Sequence, residues 1–391
     1  MAVDCSVVEA MIVAAVGRIF PAAQVEVRLR DEIVFSRAFG WLDPETRQRP
    51  ARGDTLFDLA SLSKLFVATA FMTLVEAGAV ALDQPVCTVV PEFGGLRPIR
   101  PYEDPLHPGA FVEVVSAPPG QDHVDARQVT FRHLLTHTSG LPAWRPLYQQ
   151  GDPLLALRMA IDTHFAYPTG ARVVYSDLGL ILVGVALERL AGMGLDRIVR
   201  ERVTDPLGMR QTCYRPIDTP GVDLSNIAPT EQCAWRRRRI VGEVHDENAA
   251  SLGGIAGHAG LFSTAAEVAL FGQLFLHAGR PLLQPASVAE MTRLQAQDDV
   301  LRRGIGWVRW SPDPEMSGSP FGQDAFGHTG FTGTSLWVDP QRELVVACLT
   351  NDVYYGREHR SIMPFRVALH RAIVEAVDKN HNGTTGIRLE P

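Results

Sequence analysis

Two short runs near the start of the chain, Gln24–Arg30 and Ile33–Phe39, have a strand-like pattern and are separated by Asp31-Glu32. They predict two strands joined by a tight polar turn. Ahead of them, the apolar run Met11–Val16 follows Asp4 and Glu9 and reads as an amphipathic first helix. Beyond them, Ser61 can open a helix that stays apolar through Leu74-Val75-Glu76-Ala77 and stops at Gly78, a natural C-terminal glycine. That helix is apolar on nearly every face, which predicts a central, buried position. From Leu82 to about Val300 the pattern is mostly helical and broken by proline and glycine loops. The longest loop is Pro91–Arg127, with turn signals at Pro118-Pro119-Gly120; a loop that long is usually functional or mobile. Strand patterns return at Gly304–Trp310, Thr334–Val338 and Leu344–Thr350, before a final helix from about Ser361 to Val377.

Strands at both ends with helices between predict an α+β fold: an antiparallel sheet flanked by helices, completed by the two termini. Residues 1–81 and 301–391 would form this sheet domain, and 82–300 a mostly helical inserted domain. At 391 residues and 46% hydrophobic, the chain can bury a large core. Its net charge of −7 argues against a nucleic-acid or anionic-membrane surface. Arg236-Arg237-Arg238-Arg239, beside Trp235, reads as a solvated loop. The five cysteines show no metal-like pairing and read as reduced thiols. No run approaches 18 uninterrupted apolar residues, and no lysine or arginine precedes Met11–Val16 as a secretory leader would require. These features predict a cytoplasmic protein without a membrane partner; they leave its oligomeric state open.

The lysines change the picture. Of 37 basic residues only Lys64 and Lys379 are lysines, and Lys64 lies in Ser61-Leu62-Ser63-Lys64. Arginine stays protonated, whereas a desolvated lysine can lose its proton and act as a base. Residues three apart share a helix face, about 5–6 Å between Cβ atoms, so Lys64 is within reach of the Ser61 hydroxyl. A buried Ser-x-x-Lys is a nucleophile with its activator. Ser63 is the wrong partner, because adjacent helix residues diverge.

A second element is Val174-Tyr175-Ser176-Asp177, ahead of an apolar helix. Alone it reads as an Asp177 N-cap and a packed aromatic. Beside a Ser-x-x-Lys, a tyrosine of lowered pKa can shuttle the serine proton to a leaving group. The third is Gly327-His328-Thr329-Gly330-Phe331-Thr332-Gly333, where glycines let a substrate approach a strand closely.

The ordered set Ser-x-x-Lys, Tyr-x-Asp, His-Thr-Gly resembles the serine β-lactamase and penicillin-binding protein superfamily. Within it the chain resembles the class C β-lactamase branch, with its carboxylesterases and DD-peptidases. Supporting phrases are Leu134-Leu135-Thr136-His137-Thr138-Ser139-Gly140-Leu141, Pro206-Leu207-Gly208-Met209, and Gly257-His258-Ala259-Gly260-Leu261-Phe262-Ser263. The resemblance implies Ser61 as nucleophile, Lys64 and Tyr175 as proton-transfer partners, and a site between the two domains. It implies an oxyanion hole from the N–H groups of Ser61 and Phe331, with Asp177, His328, Thr329 and Gly330 lining the substrate site.

Two positions depart from the lactamase pattern. Asp177 stands where asparagine would donate to an acylamide carbonyl; an ionised aspartate only accepts. His328 stands where lysine would be a fixed cation, and histidine is charged only part of the time near neutral pH. Had a permanent cation been needed there, an arginine-rich chain could have used arginine. Both changes point to a small ester substrate, with a β-lactam, a D-Ala-D-Ala end or acyl transfer as alternatives.

His133-Leu134-Leu135-Thr136-His137 has helical metal-pair spacing but lacks the usual glutamate and third ligand, so no metal is expected. His245-Asp246-Glu247 and His258 read as hydrogen-bonding residues of a loop beneath the active site. No Gly-x-Ser-x-Gly, Gly-x-Gly-x-x-Gly or P-loop occurs, and no cofactor is implied.

Overall fold

A computed structural model describes residues 3–104, 107, 109–114, 122–298, 301–358 and 361–385. Its dominant element is an eight-stranded antiparallel sheet. In spatial order the strands are Ala296–Gln297, Arg302–Arg303, Val308–Arg309, Phe326–Thr329, Ser335–Asp339, Leu344–Thr350, Ala22–Leu29 and Glu32–Gly40. The two ends of the chain meet where Ala23 pairs with Thr350 and Leu29 with Leu344.

The central strand shows why the sheet sits where it does. Leu344-Val345-Val346-Ala347-Cys348-Leu349-Thr350 is buried at every position. A strand covered on both faces reads as a continuous apolar run, and successive side chains alternate between the faces. Val345, Ala347 and Leu349 join the larger core with the Ala265–Leu276 helix, while Leu344, Val346 and Cys348 join a second core. That second core is closed by the Ser6–Ala15 helix and the Ile362–Thr385 helix. Gly272 brings the Ala265–Leu276 helix close to the sheet: a Cβ there would lie 2.6 Å from Val345 Cγ1.

The predicted buried helix is present, with one refinement. Ser61 lies in a single 3₁₀ turn, Ala60–Leu62, which runs into the α-helix Ser63–Glu76. Every residue from Ser63 to Met72 is buried. Phe66 stacks on Phe271 at 4.1 Å and Phe71 meets Phe131 at 4.9 Å. Gly78 follows with φ +70, the left-handed conformation expected of a C-terminal glycine.

Elsewhere the sequence reading needs correction. Gly304–Trp310 is not one strand: Gly306 turns the backbone at φ +75 between the short strands Arg302–Arg303 and Val308–Arg309, so only the latter falls in that run. The middle of the chain holds seven α-helices among the described residues, but also the strands Cys213–Tyr214 and Leu261–Ser263, which join Phe57–Asp58 of the N-terminal segment in a three-stranded sheet. The Pro91–Arg127 segment is partly ordered into two short antiparallel pairs, Leu96–Pro98 with His123–Asp125 and Tyr102–Glu103 with Phe111–Val112. Its Pro118-Pro119-Gly120 turn signal lies outside the described residues. Arg236 and Arg239 of the basic run are half-buried and bond backbone carbonyls, so only part of that run is solvated. Among the described residues no single helix is long and apolar enough to cross a membrane.

Candidate active site

The three sequence elements converge. Asp58 sets up the first: its side chain, 2% exposed, accepts hydrogen bonds from the N–H groups of Ala60 and His245 at 2.8 and 2.6 Å. Ala60 is held at φ +47, an uncommon conformation for a residue with a side chain, and Ser61 follows it. The strand end carrying the third element is tied to the same turn, since Thr332 and Thr334 donate to the carbonyls of Asp58 and Leu59 at 2.7 and 2.9 Å. Arg366 of the C-terminal helix closes this loop by donating to the carbonyls of Gly330 and Thr334.

Lys64, 1% exposed, donates to Ser61 Oγ at 2.8 Å and to the His258 carbonyl at 2.9 Å. Its Nζ also lies 2.8 Å from Asp177 Oδ1. Burial pulls the lysine pKa down, but Asp177 and Tyr175 outweigh burial and hold it above its ordinary value. The expectation of a lysine that has shed its proton is therefore corrected: the carboxylate at position 177 keeps the ammonium charged. Ser63 Oγ points away and accepts from the Leu261 N–H.

Tyr175 is half-buried, with its ring 4.9 Å from Lys64 Nζ and 5.0 Å from the Arg303 guanidinium. Burial pushes its phenol up by more than Lys64 pulls it down, which corrects the expected lowered pKa. Its hydroxyl lies near Lys64 and Ser61 without a well-aligned bond to either. Ser176 caps the following helix, Asp177–Ala191, by accepting from the Gly179 N–H. Asp177, read from sequence as that cap, stands one position on and turns to Lys64.

His328 is 3% exposed and its Nδ1–H donates to the Thr329 carbonyl at 2.8 Å. That leaves Nε2 as an acceptor without a partner among the described residues. Burial, then Arg303 and Lys64, hold the ring well below its usual pKa, so it is neutral at pH 7 rather than partly charged. His137 lies beside it against the Tyr175 ring, 4.7 Å between centroids, and accepts from the Ser176 N–H. His133 turns instead to Thr130, so His133 and His137 serve different partners.

Ser61 stands at the waist of a two-lobed cleft. One lobe, of about 600 Å³, is lined by Arg303, His328, Thr329, Gly330 and Trp337 among others; the other, of about 260 Å³, by Trp144, Asp177, His245, Asp246, Glu247 and His258. Ser61, Tyr175 and Phe331 line both. His245 bonds Glu231 at 2.9 Å and stacks on Phe331, while His258 bonds Asp246 at 2.9 Å. These residues form a wall of the cleft rather than a loop beneath it. Asp177, Asp246 and His258 each offer a ligand atom within 4.8 Å of the others. The Lys64 ammonium already stands at Asp177 and the His258 ring at Asp246, so a metal cation there would compete with both.

Sequence reasoning missed Arg303, Asp58 and His137. His137 had a visible signal, its place in the quoted Thr136-His137-Thr138-Ser139-Gly140. Arg303 had none.

Comparison with known proteins agrees with this geometry. The β-lactamase family model matches residues 8–369. The chain is 30% identical over 379 residues to an N-acetylmuramyl-L-alanine amidase of Bacillus subtilis, covering 88% of this chain and 80% of that protein. It is 28% identical over 369 residues to a putative D-alanyl-D-alanine carboxypeptidase of Salmonella agona, covering 85% and 79%. Among solved structures, a mutant simvastatin synthase from Aspergillus terreus superposes with a TM-score of 0.72 at 20% identity, covering 98% of each chain. A family match over nearly the full length, on a site built around a Ser-x-x-Lys whose lysine is buried, settles the class: the chain belongs to the β-lactamase family and is a serine hydrolase.

Proposed function

We propose that the protein hydrolyses small esters through an acyl-enzyme on Ser61. The observation that carries this reading is the Lys64–Asp177 pair. A carboxylate committed to an ammonium offers an incoming acylamide carbonyl no donor, whereas an ester needs none there. Ser61 Oγ attacks the ester carbonyl, and Lys64 takes the hydroxyl proton as it passes one of its own to Asp177. The ion pair thus acts as one base, with Asp177 as the proton's resting place. The N–H groups of Ser61 and Phe331 face the oxyanion that forms. Tyr175, still a phenol, donates its proton to the departing alkoxide, and two flanking cations stabilise the tyrosinate that remains. Water then takes the alcohol's place and the transfers run in reverse.

A second reading, cleavage of a peptide or amide bond, has support in the two relatives named for such activities. Intact-mass measurement with a nitrophenyl ester, a penicillin and a fluorophosphonate separates the two. The ester reading expects fluorophosphonate labelling of Ser61, rapid ester turnover and little penicilloyl adduct. A stable penicilloyl-enzyme with slow ester turnover sinks it, and so does full ester activity in Ser61→Ala.

A further inference from the structure

Tyr175 stands on a stretch, residues 172–176, that is neither helix nor strand. The ladder bonds that would fix a residue on a regular element are missing there. His137 replaces them from both sides. Its carbonyl accepts from the Val174 N–H at 2.8 Å, and its Nδ1 accepts from the Ser176 N–H at 3.1 Å. One residue thus fastens the backbone immediately before and immediately after Tyr175. Its ring then lies against the tyrosine ring, 4.7 Å between centroids. His328 flanks that ring at 5.8 Å but bonds the Thr329 carbonyl and holds nothing in 172–176. To reach this place His137, just past the Phe131–Leu135 helix, takes φ +60, an uncommon conformation for a residue with a side chain. Strain of that kind persists where the surroundings enforce it, and it gathers at functional sites. With Nδ1 committed as an acceptor the ring proton is on Nε2, which has no partner among the described residues. Burial, then Arg303 and Lys64, hold the ring well below its usual pKa, so at pH 7 it is neutral and keeps that acceptor.

We infer that His137 is a positioning residue for Tyr175: by clamping Val174 and Ser176 it aims the phenol at the departing alcohol, and so sets how well the enzyme expels a poor leaving group. The inference rests on the ester reading for the step in which the phenol proton passes to the alkoxide oxygen as the C–O bond breaks. His137 lines neither lobe of the cleft, so it acts through Tyr175 rather than on the substrate. The phenol has no well-aligned hydrogen bond to Lys64 or Ser61, and the two cations meet only its ring, so its aim depends on the backbone that carries it. General acid catalysis contributes about 10²–10⁴ in rate, and a displacement of about 1 Å can cost about 10².

The test is leaving-group dependence. Ethyl butyrate expels an alkoxide that needs a proton, whereas 4-nitrophenyl butyrate expels a phenolate that needs none; both form the same butyryl-enzyme. The ratio of their kcat/KM values therefore reports the proton given to the alcohol. In His137→Phe, which keeps a ring but has no acceptor for the Ser176 N–H, ethyl butyrate should lose about 10- to 100-fold more than the nitrophenyl ester. His137→Asn should restore most of the ratio, since its amide oxygen can replace Nδ1 and asparagine tolerates the left-handed backbone. In a Tyr175→Phe background the ratio should no longer respond to position 137. A role confined to folding would slow both esters by one factor in His137→Phe; an unchanged ratio there overturns the inference and leaves the ester reading intact. If the variants fail to fold, or if no ester is cleaved and that reading falls instead, nitrogen shifts of the wild-type His137 ring decide. A bare Nδ1 coupled to the Ser176 N–H, with the proton on Nε2, is expected; a proton on Nδ1 would unmake the clamp and overturn the inference.

Discussion

Lys64 Nζ sits 2.8 Å from Ser61 Oγ and 2.8 Å from Asp177 Oδ1, so a single ammonium bridges the Ser61 hydroxyl and a carboxylate. Lys64 and Tyr175 both have raised pKa values, and neither titrates near neutrality. The kcat/KM for an uncharged ester should therefore show no rise from their deprotonation between pH 7 and 9. In Asp177→Asn the burial that lowers the lysine loses its main opponent, and a rise with pH should appear as Lys64 becomes free amine. The new amide donor should also shift the cephalosporin-to-ester ratio of kcat/KM toward the cephalosporin by about tenfold. Stopped-assay pH profiles of both proteins check this; a wild-type rise with apparent pKa 7 to 8.5 would mean that one of the two groups is a free base after all.

Lys64→Arg should be nearly as damaging as Lys64→Ala, a loss of about 10²–10⁴ in kcat/KM. The ammonium is enclosed by Ser61 Oγ, the His258 carbonyl and Asp177. A planar guanidinium neither fits that three-way seat nor gives up its proton. Steady-state kinetics on folded variants decides the point, and an active arginine variant would show that charge alone suffices.

Gly330→Ala tests how the strand end positions the nucleophile. A Cβ at 330 would stand 2.0 Å from Thr334 Oγ1 and 2.5 Å from the Leu59 carbonyl, just before Ala60-Ser61. The turn must shift, at a cost of about 1–3 kcal/mol. Thermal melting should fall, and fluorophosphonate labelling of Ser61 should slow by more than the stability loss explains.

Acid should weaken the fold through its buried histidines. His370 is fully buried, donates Nδ1–H to the Ser317 carbonyl, and burial brings it down to about 4. The unfolded chain then binds a proton that the native state refuses, so stability is full above the unfolded pKa of about 6.5 and is lost as pH falls toward 4. His370 alone accounts for about 3 kcal/mol across that window. His137 and His328 are displaced in the same direction. Urea midpoints at pH 7, 5.5 and 4.5 should fall steadily, and the slope should flatten in His370→Gln.

The chemistry was more legible in the chain than its electrostatics. Ser61 and Lys64 could be paired because helical spacing is rigid and lysine is rare here, so one lysine stood out. The same scarcity hid Arg303: in a chain whose cations are nearly all arginine, one more attracts no notice, and only the Gly306 turn brings it to the cleft. Protonation states could not be read at all. The tendency of Lys64 and Tyr175 to lose or keep protons depends on burial and on Asp177 across the cleft, and spacing along one segment carries neither. Strand patterns at the termini were clear because two-sided burial leaves unbroken apolar runs. The short strands of the middle region, two or three residues each, are too brief to leave a periodic trace.

The pairing of Ala22–Leu29 with Leu344–Thr350 has a consequence for the life history of the molecule. During synthesis the first hairpin emerges more than 300 residues before the strand that will cover its open edge, and Ser61 emerges long before His328. Joining ends so far apart adds only slowly to the entropy cost, but such distant partners make for slow folding. Throughout that interval the inner edge of Ala22–Leu29 is an unpaired template for other chains. The nascent protein is therefore catalytically silent and most prone to aggregation at the same stage, and both conditions end when one late strand docks.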